Sequence, residues 1–234
     1  MKRTLTLGLM ATALLVGCHD DDDDNSTAPP PPEMVSFEVT VTNLTAAQPM
    51  SPVAAYLHDG SVAGWQFGEA ASEPLEVLAE GGDGTDWLAA ATAAGAGITA
   101  AGEGILPPGM AQSLTLTLEA GQGMRLTSAT MLVNTNDAFA GINGWDLSAL
   151  AVGQSMTVNL PVYDAGTEAN SELAATIPGP AGGGAGYDAT RDDVDYVARH
   201  PGVVGNQDGF AESALDGRHK FDAPVARLTV MRTR

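Results

Sequence analysis

Two segments carry the residues best suited to chemistry: Met131-Leu132-Val133-Asn134-Thr135-Asn136-Asp137-Ala138-Phe139 and Leu160-Pro161-Val162-Tyr163-Asp164-Ala165-Gly166-Thr167-Glu168. Each follows a stretch that reads as a β-strand. Two such strands ending at the same edge of a sandwich would gather the carboxylates of Asp137, Asp164 and Glu168. Carboxylates held close together repel one another, and a cation relieves the repulsion. A set of hard oxygen ligands in irregular loop geometry suits Ca²⁺. Gly166 permits a sharp turn, so that Asp164 and Glu168 can face one point, and the Thr167 hydroxyl or a backbone carbonyl could add an oxygen. The same spacing fits equally well a simpler reading, in which Asp137 and Asp164 are turn residues bonding their own backbone. Asn134 and Asn136 flank the first turn and read as turn formers that could also supply an oxygen.

The remaining candidates are weaker. Asp188, Asp192, Asp193 and Asp195 form a second acidic cluster without the Asp-x-Asp-x-Asp-Gly order of an EF-hand, and read as a solvated loop. His19, His58, His200 and His219 show no zinc-ligand spacing. His58 beside Asp59 has the form of a base and its orienting acid, but a surface turn explains the pair more simply. No Gly-x-Ser-x-Gly, His-Glu-x-x-His or Gly-Lys phosphate loop is present, so a hydrolase acting on envelope polymers would have to assemble its catalytic residues from distant positions. Trp65, Trp87 and Trp145 read as core or rim residues.

The elements that must position these groups are mostly strands. Val35 to Thr42 alternates strictly between apolar and polar residues, and Ser113 to Leu118 does the same. Met124 to Val133, Ser155 to Val162 and Val225 to Met231 are further strands, and Val53 to Leu57 is a short apolar one. Helical periodicity is confined to Ser72 to about Ala94, with Ser72 as a cap, Pro74 in the first turn, Gly81-Gly82 as a stop and Thr85 opening a second short helix. The chain from Ala169 to Asp222 has no period and reads as a long irregular loop. Residues 33–234, roughly 200 in all, suffice for one well-buried domain. The expected fold is all-β: an antiparallel sandwich with a short helical insert.

The start of the chain reads as an address. Lys2 and Arg3 precede an apolar run, Leu5 to Val16, too short to span a membrane. Leu15-Val16-Gly17-Cys18 resembles the bacterial lipobox, which makes residues 1–17 a signal peptide and Cys18, the single cysteine, a lipidation site. The expectation is a lipid-anchored cell-envelope protein; His19 after the cysteine favours the outer membrane of a Gram-negative bacterium. Residues 18–32, with a run from Asp20 to Asp24 and then Ser, Thr and Pro, read as a disordered tether. The formal net charge is −19, and no Lys or Arg lies between Arg3 and Arg125. That field excludes a nucleic-acid footprint and favours cations and cationic surfaces.

In order, Ser51-Pro52-Val53, Gly68 to Ser72, Leu75 to Glu80, Met131 to Phe139, Tyr163 to Glu168 and Pro224 to Val230 resemble the spondin N-terminal domain in its bacterial stand-alone form. The Thr-Asn-Asp-Ala-Phe segment and the Asp-Ala-Gly-Thr-acid turn are the specific pieces. The resemblance implies a C2-like sandwich of about eight strands and a Ca²⁺ ion held by loops at one end, with Asp137, Asp164 and Glu168 in the ligand positions. Glu168 departs from the Asp usual in the animal spondins. It also implies a non-enzymatic adhesion or matrix-interaction module with an extracellular protein or polysaccharide partner, although the disulfides and thrombospondin-type repeats of the animal proteins are missing.

Overall fold

Strict alternation in Met34–Asn43 (β1) turns Val35, Phe37, Val39 and Val41 inward, each at most 3% exposed, and leaves Ser36, Glu38, Thr40 and Thr42 on the outer face. The structure, a computed structural model, describes residues 30–222 and 224–234; the signal peptide, Cys18 and nearly all of the tether lie outside them. Residues Pro32–Arg234 form one unit. The further strands are Ala54–His58 (β2), Ile98–Ala101 (β3), Ala111–Glu119 (β4), Arg125–Met131 (β5), Ala138–Asp146 (β6), Ser155–Leu160 (β7), Val162–Asp164 (β8), Ala198–Arg199 (β9) and Ala226–Arg232 (β10). They form a four-stranded sheet, β4-β1-β10-β7, and a six-stranded sheet, β3-β2-β5-β6-β8-β9, with every pairing antiparallel. The all-β sandwich with its helical insert is thus the fold, with ten strands among the described residues.

The main core lies between the sheets. Phe37, Val39, Leu116, Leu228 and Val230 from one side meet Val53, Ala55, Leu57, Leu126, Ala140 and Val162 from the other. The six-stranded sheet is covered on its second face as well. Helices Glu73–Gly81 (α1) and Thr85–Ala93 (α2) lay Leu75, Leu78 and Trp87 over Tyr56, Trp65, Phe139 and Tyr163. This double burial explains why β2 is apolar without alternation: all of its residues are buried. The helix signals act as their chemistry requires. The Ser72 hydroxyl accepts from the Leu75 N–H at 3.4 Å, Pro74 sits in the first turn, and Gly82 closes α1 in the left-handed region at φ 73°. No described helix is long and apolar enough to cross a membrane.

One expected strand is divided. Ser155 to Val162 breaks at Pro161 into β7, which pairs with β10 in one sheet, and β8, which pairs with β6 in the other. Proline has no N–H to give to a ladder, so it marks the corner where the chain changes sheets. The irregular stretch after β8 is long, as expected, and packs round a small core of its own, Ile177, Val203 and Leu215.

Phe37 is fully buried at the centre of the inter-sheet core. Phe37→Ala should cost roughly 3–5 kcal/mol in urea unfolding, whereas Thr40→Ala on the outer face of the same strand should stay within about 1 kcal/mol.

Candidate functional site

Asp137 is the residue immediately before β6, and Asp164 ends β8; the antiparallel register sets Ala138 opposite Asp164. The fold therefore supplies the juxtaposition that the sequence could not. The Asp137 side chain is fully buried, and its Oδ2 accepts from the N–H groups of Thr167 at 2.9 Å and Glu168 at 3.3 Å and from the Thr167 hydroxyl at 3.3 Å. Its Oδ1 has no hydrogen-bond partner. Burial, and next the charge of Asp164, hold the Asp137 carboxyl well above the usual carboxylate range, against the pull of the two N–H bonds.

Asp164 is bonded at both oxygens: Oδ1 accepts the Gly166 N–H at 2.8 Å and Oδ2 accepts the Asn170 amide at 2.7 Å. The first of these is the self-bonded turn that the simpler sequence reading requires, so Asp164 fits that reading in part. An ionised carboxylate still keeps lone pairs free for further ligation. Gly166 stands at φ 72°, and a Cβ there would lie 2.3 Å from the Tyr196 carbonyl oxygen, so both the turn and the close approach require glycine.

Glu168 offers Oε1 to the Asn136 amide at 3.1 Å, while its Oε2 is buried without a partner. Burial raises its pKa to about 7, helped by the like charges of Glu80, Asp192 and Asp188 and opposed by the Asn136 bond. Asp137 and Glu168 are thus joined through the Thr167–Glu168 backbone, yet each carboxylate faces different acidic neighbours. Among the described residues, no group of three or more His, Cys, Asp or Glu side chains is arranged so that it could hold a metal ion.

Asn136 orders the surroundings. Its amide nitrogen also reaches the Thr176 hydroxyl at 2.8 Å, and its Oδ1 accepts the Glu172 N–H at 3.4 Å. Asn134 accepts the Ala181 N–H and donates to the Ala47 carbonyl, each at 2.9 Å. The second acidic cluster is more than a solvated loop. The N–H groups of Asp192 and Asp195 donate to the carbonyls of Thr167 and Gly166, and Asp192 Oδ1 accepts the Ala169 N–H at 2.8 Å. The loop from Asp188 to Asp195 therefore closes over the acidic turn. Glu76 and Glu80 on α1 carry no site signal in the sequence, yet they are 3% and 1% exposed and face this loop. Their burial depends on the loop that packs over the helix.

His58 and His200 are both tied into local hydrogen bonds. His58 is buried rather than in a surface turn: its Nδ1 accepts the Gly60 N–H, its Nε2 meets the Thr127 hydroxyl at the β5–β6 irregularity, and the Asp59 carboxylate turns away to Ser61. His200 lines a cleft of about 310 Å³ with Arg199 and Phe221, but its Nδ1 accepts the Gly202 N–H and its Nε2 meets Asn170. Burial lowers the His200 pKa to about 4, which keeps the ring neutral. Trp65 and Trp87 belong to the core beneath the helices, and Trp145 packs against the inter-sheet core.

No family model matches the chain, and no characterised protein matches it as a relative.

Two measurements follow from this geometry. Asn136→Ala removes a buried hub and should cost roughly 1–3 kcal/mol, with increased proteolysis of the segment 168–185. The raised pKa of Glu168 makes its contribution to stability fully present below its ordinary value of 4.5 and lost as pH rises through about 7; Asp137 acts in the same direction. His200 acts oppositely, but only between about 4 and 6.5. In chelator, the urea midpoint should therefore fall as pH rises from about 6.5 to 8, and Asp137→Asn should flatten that slope; a slope unchanged by the substitution would assign it to other groups.

Proposed function

We propose that this protein is a non-enzymatic, Ca²⁺-binding lipoprotein of the cell envelope, acting as an adhesion or matrix-interaction module. The observation that carries the reading is the presence, on one turn-linked network, of two buried carboxylate oxygens without partners, Asp137 Oδ1 and Glu168 Oε2, with Asp164 beside the first. Buried, unpaired acceptors are costly, and a hard divalent cation would satisfy them. Asp137, Asp164 and Glu168 would hold it, with neutral oxygens such as the Thr167 hydroxyl completing an irregular shell of the kind Ca²⁺ accepts. The cation would supply charge neutralisation and loop stiffness. The resemblance to the spondin N-terminal domain supports the same positions. The affinity expected is that of extracellular modules, on the order of 10⁻⁴–10⁻³ M.

Cys18 would carry the lipid, placing the domain at the membrane, on the outer membrane of a Gram-negative bacterium, through its acidic tether. The partner would be an extracellular protein or polysaccharide. The competing reading, a hydrolase of envelope polymers, draws on the cleft beside His200; both ring nitrogens there are hydrogen-bonded to Gly202 and Asn170 rather than to a nucleophile, which favours the binding module.

Thermal unfolding of the domain beginning near Glu33 tests the metal. Millimolar Ca²⁺ should raise the midpoint above that in EDTA, more than Mg²⁺ does, and Asp164→Ala should abolish the rise. No shift in the native chain would return the three acids to a turn-forming role. For the anchor, labelled palmitate should enter the full chain but not Cys18→Ala, and labelling that survives the substitution would remove the lipid from the reading.

A further inference from the structure

Strand β4 is a sheet edge without the features that ordinarily protect one. It ends the four-stranded sheet and pairs with β1 alone. Its ladder runs unbroken from Met34–Glu119 to Thr42–Ala111, so no bulge twists the edge away. Ala111–Glu119 contains no Pro, Lys or Arg, and its one charge, Glu119, stands at the end. The register shows which main-chain groups are left over. The Asn43 N–H donates to the Met110 carbonyl and the Ala120 N–H to the Glu33 carbonyl, while Ser36 bonds the C-terminal residues beyond β10. The odd-numbered residues of β1 therefore bond β4, through Gln112, Leu114, Leu116 and Leu118. The N–H and C=O groups of Ala111, Ser113, Thr115 and Thr117 point the other way, and among the described residues no other chain segment pairs with them.

The space beside this edge is shaped and acidic. A cleft of about 470 Å³ opens between β4 and β3, the edge of the other sheet, and Ala100, Gly102, Glu103, Gln112, Ser113 and Thr115 line it. Glu38 stands opposite Thr115 on the outer face, and Glu33 and Glu119 lie at one end of the ladder. No Lys or Arg occurs between Arg3 and Arg125, so β1 to β4 carry none. A second copy, with its own net charge of −19, would meet repulsion here, whereas a cationic strand would meet attraction.

We propose that β4 is the docking edge for an extended, cationic segment of a partner protein, which joins the four-stranded sheet as an added strand. Main-chain bonds to Ala111, Ser113, Thr115 and Thr117 would hold it. Alternate side chains of the segment would lie on the outer face beside Glu38 and Glu119, and the others would enter the cleft toward Glu103. This rests on the reading of the domain as an interaction module and gives its partner a chemistry, an exposed run of basic and β-branched residues. It uses no residue of the acidic turn and does not require the cation.

The probe is a capped, fluorescent peptide of alternating Thr and Lys, as long as β4 at nine residues. Its binding to the full chain would be read by anisotropy at about 0.15 M salt, where distant charges are screened. Thr115→Pro removes the central N–H of the open edge and spares the β1 ladder, because that N–H faces away from β1. It should weaken the peptide at least about tenfold, while Thr115→Val, which keeps the N–H, should not. A peptide of the same sequence with every amide N-methylated keeps all the charges and donates no main-chain hydrogen bond; it should lose affinity by a similar factor, and this arm stands even where Thr115→Pro does not fold. Glu103→Gln should cost about two- to fivefold. An N-methylated peptide that binds as tightly as its parent would reduce the contact to charge alone and sink the proposal. So would a parent peptide that does not bind, or a native dimer in sedimentation that Thr115→Pro dissolves, which would give the edge to a second copy. Binding is read in EDTA and in Ca²⁺, so a failure here is separate from any failure of the acidic turn to take the cation.

Discussion

Burial of carboxylate charge without a matching cation is the constraint around which one end of this molecule is organised. A carboxylate taken out of water demands either hydrogen bonds, a positive partner or a proton. Asp137 obtains backbone N–H groups on one oxygen only, Glu168 obtains the Asn136 amide on one oxygen only, and Glu80 obtains the Asp188 N–H on one oxygen only. Glu76 shows the same pattern, with Arg191 on Oε2 and no partner on Oε1, and the recurrence in four carboxylates is what distinguishes the region from an ordinary acidic surface. In a chain so poor in Lys and Arg, the guanidinium of Arg191 goes to Glu76 and Asp195.

The sandwich makes that concentration of charge tolerable. The six-stranded sheet is clamped between the other sheet and the helices, so β6 and β8 are fixed on both faces before they deliver Asp137 and Asp164. The crossing at Pro161 brings β8 beside β6 straight from the opposite sheet. Long loops then fold back onto the rigid frame through main-chain bonds to Gly166 and Thr167. Precision at the site comes from strands, and coverage comes from loops.

Much of this was legible in the residues. Alternation in β1 and β4 named their inward faces, because a half-buried strand has period two. Ser72, Pro74 and Gly82 bounded α1 by local chemistry alone. What escaped was decided by tertiary context. β6 reads poorly because Gly141, Asn143 and Gly144 interrupt it, and it stands as a strand only through its partners β5 and β8. The glycine at 141 is explained by the Ser128 carbonyl, 2.5 Å from where a Cβ would lie. Asp137 and Asp164 could be suspected from their turns, and Gly166 from its need for a positive φ. Glu80 carried no such mark, since an acid in the last turn of a helix looks like solvent-facing surface until the loop that buries it is in place.

The arrangement of β1 has a mechanical side. The chain enters β1 at Met34, and β1 is held along its length by β4 and β10. At the far end, about 33 Å away for a strand of 10 residues, the following loop touches Asn134, next to the acidic turn. A pull between the residues before Met34 and whatever grips the acidic end would run along this strand and load its flanking hydrogen bonds together, in shear, rather than opening them one at a time. The strand best placed to bear such tension is also the one that sets Val35, Phe37, Val39 and Val41 into the inter-sheet core.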